Sequence, residues 1–451
     1  MLQKMIQAAA RNGSYAEGSR EMCESAELEI SPKAIERAAH RIGAERVAQR
    51  TSATAAWQNL PLPEQQQSCP QPKAPDVAVV QFDCGRMLIR EALEPDSPSD
   101  ENTLSSDSGA AGTRAEEDSH FAERVVETAL AVAVTCNLES GLDGIEDSES
   151  EIHADESRSK LWRDHKVGCL LTMQSEEREI DPCPEIPDSF LDVGRITKLV
   201  RQLGHSSGTV TTNDAEQPTT ADKTPRDDIP KPVVTTILAS RANSALFGAI
   251  LAAAAWARGF AAARRKAFVA DGAAMNWTLW QRFFSHYIPI LDFIHGLQYV
   301  FAAAVAARSS AEGWAVYCRW IKAVWSGKVA EVLTELKQRQ QELGLPPKDA
   351  SESDPRKIVA TTIHYFETHQ SRMDYPRYRR LGLPIVSAYV ESAVKQINRR
   401  VKGTEKFWSE IGAEAILQLR ADYVSDTQPL KSFWQQRQQA ATGQRCYNCA
   451  A

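Results

Sequence analysis

Apolar runs, broken at recurring polar and proline-rich points, divide the chain of 451 residues into strand-like and helix-like blocks. Residues 1–60 read as helical. Ser31 followed by Pro32 makes a favourable helix opening, because the serine oxygen can accept a free N–H and proline has none to leave unpaired. Ala34, Ile35, Ala38 and Ile42 then recur at helical spacing, and Gly43 is the expected break of a small helix-turn-helix-like unit. Prolines and glutamines mark 61–76 as a linker. VAVVQFD and GRMLIREAL predict two strands joined tightly at Cys84-Gly85, so the first would end at Asp83. The acidic, serine-rich stretch 95–159 predicts a largely disordered insertion. HKVGCLLTM reads as a third strand, Gly204 to Pro232 as polar connection, and Ala245 to Ala263 as a buried alanine-rich helix. KAFVADG is the fourth strand, delivering Asp271, MNWTLWQRFF a helix, and YIPILDFIHGL the fifth strand.

Beyond Gln298 the spacing turns helical. On the helix from Tyr389 to Lys402, Val390, Val394, Ile397 and Val401 form a buried stripe. Glu391, Lys395, Asn398 and Lys402 follow one position on, which sets the glutamate at the border of the core. A solvated Glu391–Lys395 ion pair is the plainer reading of that stripe. Strands followed by alternating helices and strands predict an α/β fold: a ribonuclease-H-like mixed sheet with flanking helices, a helical insertion before the last core helix, and an N-terminal helical module. The corresponding organisation is a helical module at 1–60 that could bind DNA, a linker at 61–76, and the first part of the core at 77–300. A helical insertion follows at 301–371, the final core part with its helix at 372–425, and a flexible tail at 426–451.

Bulk properties alter this picture little. The net charge of −7 argues against a nucleic-acid partner, but much of the acid lies between Asp96 and Glu156. The C-terminal part is locally basic, and Arg377, Arg379, Arg380, Lys395, Arg399 and Lys402 are candidate DNA-binding residues around Glu391. Nine cysteines without a secretory leader predict no disulfide framework and a reduced cytoplasmic setting. Arg258 interrupts the most apolar stretch, so no membrane span is expected. Cys446 and Cys449 have metal-like spacing but lack a second pair, and Cys69-Pro70 likewise has none. Trp277, Trp280, Trp314, Trp320 and Trp325 read mostly as packing residues. Asp83, Asp271 and Glu391 remain as three acids held by rigid elements, a setting suited to divalent metal and phosphoryl chemistry.

Asp83-Cys84-Gly85-Arg86, WRDHKVGCLLTM, DPCPEIP, RGFAAARRKAFVADGA, ILDFIHGLQYV, RMDYPRYRRLGLPI, VESAVKQ and GAEAILQLR occur in that order. This wording resembles the insertion-sequence transposases of the DDE type, most closely the Kra group, from about Val77 to Ala421. The resemblance implies that Asp83, Asp271 and Glu391 are catalytic metal ligands for Mg2+ or Mn2+, and that Asp292 and His295 support them or position DNA. It also implies cleavage at a mobile element's ends and joining of the 3′-hydroxyls to target DNA. The partners would be terminal repeats, target DNA and further copies of the chain, in a bacterial nucleoid-associated setting. A relic or DNA-binding protein that keeps the fold without catalysis is the alternative. Two positions depart from the pattern: Cys84 stands where glycine is usual, and Val386-Ser387-Ala388 stands where Gly-Ser-Gly is expected. Positive φ at either place would strain the chain.

Overall fold

The computed structural model describes residues 1–67, 74–90, 161–204, 229–403 and 405–444. The acidic insertion, Cys69, Cys446 and Cys449 lie outside these residues. Helices α1 (Leu2–Arg11) and α2 (Tyr15–Ala26) precede the long α3 (Pro32–Gln58). Ser31 caps α3 as its sequence predicts, its side chain accepting from the Ala34 N–H with Pro32 in the first turn. The short α4 (Leu62–Gln66) leads to β1 (Val77–Ile89), β2 (Trp162–Gln174), α5 (Val193–Gly204) and β3 (Lys231–Ser240). Next come α6 (Ser244–Ala257), capped by Asn243, then β4 (Arg265–Ala270), α7 (Ala274–Phe283) and β5 (Ile288–Leu291). Helices α8 (Phe293–Val305), α9 (Ser310–Trp325), α10 (Val329–Leu343), α11 (Pro355–His369) and α12 (Tyr375–Arg380) follow without an intervening strand. The described chain closes with α13 (Ala388–Val401), β6 (Phe407–Trp408), α14 (Glu410–Val424) and α15 (Pro429–Gln444).

These elements build a mixed α/β structure around one six-stranded sheet of order β3-β2-β1-β4-β5, with β6 pairing the far end of β1. β1 runs antiparallel to β2, and β2 antiparallel to β3, whereas β4 is parallel to β1 and β5 parallel to β4. Val77 to Val80 are fully buried, as a central strand covered on both faces requires. One face meets α6, where Phe82 packs on Phe247 with ring centroids 5.5 Å apart. The opposite face meets α13, and there the buried Gln81 donates to the Val386 carbonyl at 3.0 Å and accepts from the Val390 N–H at 3.0 Å. Side-chain alternation puts Gln81, Asp83 and Gly85 on that same face. The exposed edge of β3 is covered by the link between α14 and α15: Asp426 exchanges backbone and side-chain bonds with Thr235, and Ser425 Oγ accepts from the Ile237 N–H.

Several expectations change. The Cys84-Gly85 turn does not exist, because β1 continues through it for 13 residues, paired to β2 as far as Leu88. Asp83 is therefore inside a strand; only the parallel pairing to β4 stops nearby, at Gln81. The two strands expected there are one, while Lys231–Ser240, read as the end of a polar connection and the approach to a helix, is β3, and the short β6 is unexpected. Gly43 breaks nothing: α3 runs through it, and a Cβ there would fall 2.5 Å from the Ala415 Cβ of α14, so the glycine permits close helix packing. The expected flexible tail contains α15, which buries Leu430 and Phe433 beside Met5, Ile6, Ile35 and Ile42. No non-glycine residue at 84 or 386–388 has positive φ, so neither departure from the transposase pattern strains the backbone. Among the described residues no helix is long and apolar enough to cross a membrane.

Candidate functional site

The sheet and α13 bring five predicted residues to one place. Asp83 projects from β1, and Asp271 follows the last residue of β4. Glu391 lies in the first turn of α13. Asp292 and His295 arrive from the junction of β5 and α8, where Asp292 caps the helix instead of ending a longer strand. The Asp292 N–H donates to the Ala270 carbonyl at 2.8 Å, and the Phe293 N–H to the Ile385 carbonyl at 2.9 Å. Together with the Gln81 clamp, these bonds fix the entrance of α13 against the ends of β4 and β5.

The carboxylates differ in what they have left to offer. Asp292 is fully buried, and both its oxygens are engaged: Oδ1 accepts from the N–H groups of Ile294 at 3.3 Å and Ser387 at 3.1 Å, and Oδ2 bonds His295 Nδ1 at 2.5 Å. Asp271 uses Oδ1 for the Ala273 N–H at 2.9 Å and for Asn276 Nδ2 at 2.5 Å. Asp83 uses Oδ1 for the Cys84 N–H at 2.7 Å. The remaining oxygens of Asp83 and Asp271 take none of these bonds. Among the described residues, Asp292, His295 and Glu391 have ligand atoms all within 4.8 Å of one another, so this cluster could hold a metal ion. That differs from the expected set of Asp83, Asp271 and Glu391.

Mutual charge is visible in the titration of the cluster. Burial pushes Asp83 up to about 7, and the charges of Asp271 and Glu391 push the same way against the Cys84 N–H and His295. Burial also raises Glu391, aided by Asp292 and Asp271 and opposed by His295 and Lys395. For His295 burial pulls downward, but the Asp292 hydrogen bond and the charges of Asp292, Asp271 and Glu391 overcome it and hold the imidazole at about 9. An excess of half-buried negative charge with one histidine as counter-cation is an arrangement that a divalent cation would relieve.

The basic candidates separate. Lys395 and Arg399 are exposed on α13, and the Lys402 ammonium lies 5.8 Å from the Trp162 ring centre. Arg377 is exposed and Arg380 half-buried on α12. Arg379, by contrast, is turned inward: it grips Asp181 through Nε at 2.8 Å, donates to the Trp325 carbonyl at 3.0 Å and stacks 4.2 Å from the Trp325 ring centre. Its guanidinium is thus committed to the interior, which removes it from the DNA-binding set. Trp277, Trp320 and Trp325 are buried, with Trp280 and Trp314 packed against the same core. Sequence reading missed Gln81 and Asn276, although a glutamine inside the apolar run VAVVQFD was a legible signal that the strand faces a polar partner.

No protein-family model matches this chain. An alignment over 128 residues, covering 26% of the chain, is 30% identical to one of the subunits of the ATP-dependent helicase/deoxyribonuclease of Heliobacterium modesticaldum. The chain spans about a tenth of that relative's length, since the match covers 10% of it.

Proposed function

We propose that this protein is a DNA transposase of the DDE type, cleaving the ends of a mobile element and joining the freed 3′-hydroxyls to target DNA. The observation that carries the reading is that Asp83, Asp271 and Glu391, drawn from three separate elements, are half-buried and near enough that the charges of Asp271 and Glu391 raise Asp83 and that of Asp271 raises Glu391. The strand order, with β2 antiparallel between β3 and β1 and with β4 and β5 parallel beyond, supports a ribonuclease-H-like reading of the fold.

The donor set fits a hard cation. Asp83 and Asp271 keep an uncommitted oxygen each, and Glu391 adds a carboxylate, which suits Mg2+ or Mn2+. Bound there, such ions would supply Lewis-acid stabilisation of phosphate charge and a more acidic nucleophile. Asp292 holds the His295 ring through Nδ1, directing Nε2 away from that bond and keeping a positive charge beside the acids. Lys395 and Arg399 present cations on the outer face of the Glu391 helix, where a phosphate backbone could lie.

The test is incubation with Mg2+ or Mn2+ and duplexes carrying whatever inverted repeats are found to flank the coding region. Nicking at the repeat ends and joined products are expected, with both abolished by Asp271→Asn. Binding without any scission would instead identify a fold-retaining relic. The partial likeness to a component of a deoxyribonuclease favours a second reading, cleavage without joining, and products lacking joined ends would select it.

A further inference from the structure

Beside Asp271 the protein holds a pair of aromatic rings that the chemistry above does not use. Tyr299 lies on α8 one turn beyond His295, so the two side chains share a helix face. Its ring stacks on Tyr365 of α11 with centroids 3.8 Å apart and planes 17° from parallel. Tyr365 is buried and braced in turn by His369, edge to face at 4.7 Å. Gly272, directly after Asp271, is what lets Tyr365 in: a Cβ at that position would drive into the Tyr365 ring and lie 2.8 Å from its hydroxyl. The stack therefore abuts the backbone that presents Asp271. Tyr299 is half-buried, and Tyr365 is its one ring partner among the described residues, so a single face of Tyr299 is covered in this way.

We infer that Tyr299 is a binding residue for an unpaired nucleobase of the DNA strand at the reacting phosphate, with Tyr365 as the rigid backing that holds its ring in place. A base inside a duplex already has both π-faces covered by its neighbours, whereas an unpaired base has a face to offer. A ring fixed from behind loses little rotamer freedom on binding, which favours stacking over a mobile side chain. The inference rests on the transposase reading for its location at the reacting phosphate, but the stacking itself is measurable without cleavage.

The experiment uses the full chain and a short duplex with an unpaired 3′ tail carrying 2-aminopurine, whose fluorescence falls on stacking. Wild type and Tyr299→Phe are expected to quench the probe and bind it alike. Tyr299→Ala is expected to lose the quench and bind roughly tenfold more weakly, with unchanged affinity for fully paired DNA. Quenching retained in Tyr299→Ala overturns the inference, and so does a Tyr299→Phe variant as weak as Tyr299→Ala, which would assign the contact to the hydroxyl. Thermal melting of both variants identifies any loss that comes from unfolding. If the wild-type chain quenches the probe yet never nicks repeat-end DNA in Mn2+, the transposase reading fails while the stacking site stands. Nicking without quenching reverses that outcome.

Discussion

Asp83, Asp271, Asp292 and Glu391 gather negative charge that His295 and, at Glu391, Lys395 offset. Replacing Asp83 by Asn removes one like charge at almost unchanged volume. In EDTA this variant should melt higher than wild type, and the rise in melting temperature expected when Mn2+ is added to wild type should be absent from it; an unchanged Mn2+ response would exclude Asp83 as a ligand. A second residue sets the acid limb of stability. His165 is fully buried, its two ring nitrogens have no hydrogen-bond partner among the described residues, and burial lowers it from 6.5 to about 4. The unfolded chain therefore binds the proton first as pH falls. Stability attributable to the neutral ring is complete above about 6.5 and is lost progressively toward 4, on the order of 3 kcal/mol for the full shift. His165→Met should flatten the dependence of urea midpoint on pH across that window, and an unaltered slope would show that other groups govern it.

Helix α13, which carries Glu391, is held by a strand, and Gln81 is the fastener. Its amide meets both Val386 and Val390, immediately before and within the first turn of the helix. Gln81→Leu leaves a half-buried carbonyl and a buried N–H without that partner, which costs roughly 1–3 kcal/mol. Because Glu391 is the next residue along, we expect nicking to fall further than the loss of stability explains, read as a drop in single-turnover rate at temperatures where the variant is fully folded. Equal rates would show that α13 is positioned by its apolar stripe alone. That stripe is legible in the sequence: Val390, Ile397 and Val401 are buried as their spacing requires, and Glu391 lies at its edge. The expected hairpin in β1 fails because Cys84-Gly85 imitates a turn, whereas Gly85 is needed where a Cβ would strike His165, 2.5 Å from its Nε2. β3 escapes a local reading because its exposed first residues, Lys231 to Val233, look like connection, and its partners are β2 and the remote Ser425 and Asp426.

Across the whole molecule, the first helices are tied to the last ones. Arg400 of α13, only 2% exposed, donates to the Ala9 carbonyl at 2.8 Å and lies against the rings of both Tyr15 and Trp408, at 4.5 and 5.0 Å. Arg420 of α14 donates to the Ala10 carbonyl at 2.8 Å and to the Arg11 carbonyl at 3.1 Å. Two buried cations thus satisfy the carbonyl end of α1, which its dipole also favours. Deleting residues 1–26 should consequently destabilise the entire described body, the sheet and α13 included. Arg400→Met should lower stability by roughly 1.5–3 kcal/mol. A truncated chain that melts at the wild-type temperature would show the N-terminal helices to be an independent module. Sequence by itself determined the local facts: the Ser31-Pro32 start of α3, the apolar runs of β2 and β4, and the buried face of α13. Those follow from short-range spacing and capping chemistry. The tertiary structure alone decided that Asp83 lies within a strand, that Arg379 and Arg400 turn inward, and that Asp292 serves His295 and the α13 entrance. Each depends on a partner up to several hundred residues away, whose proximity no local pattern encodes.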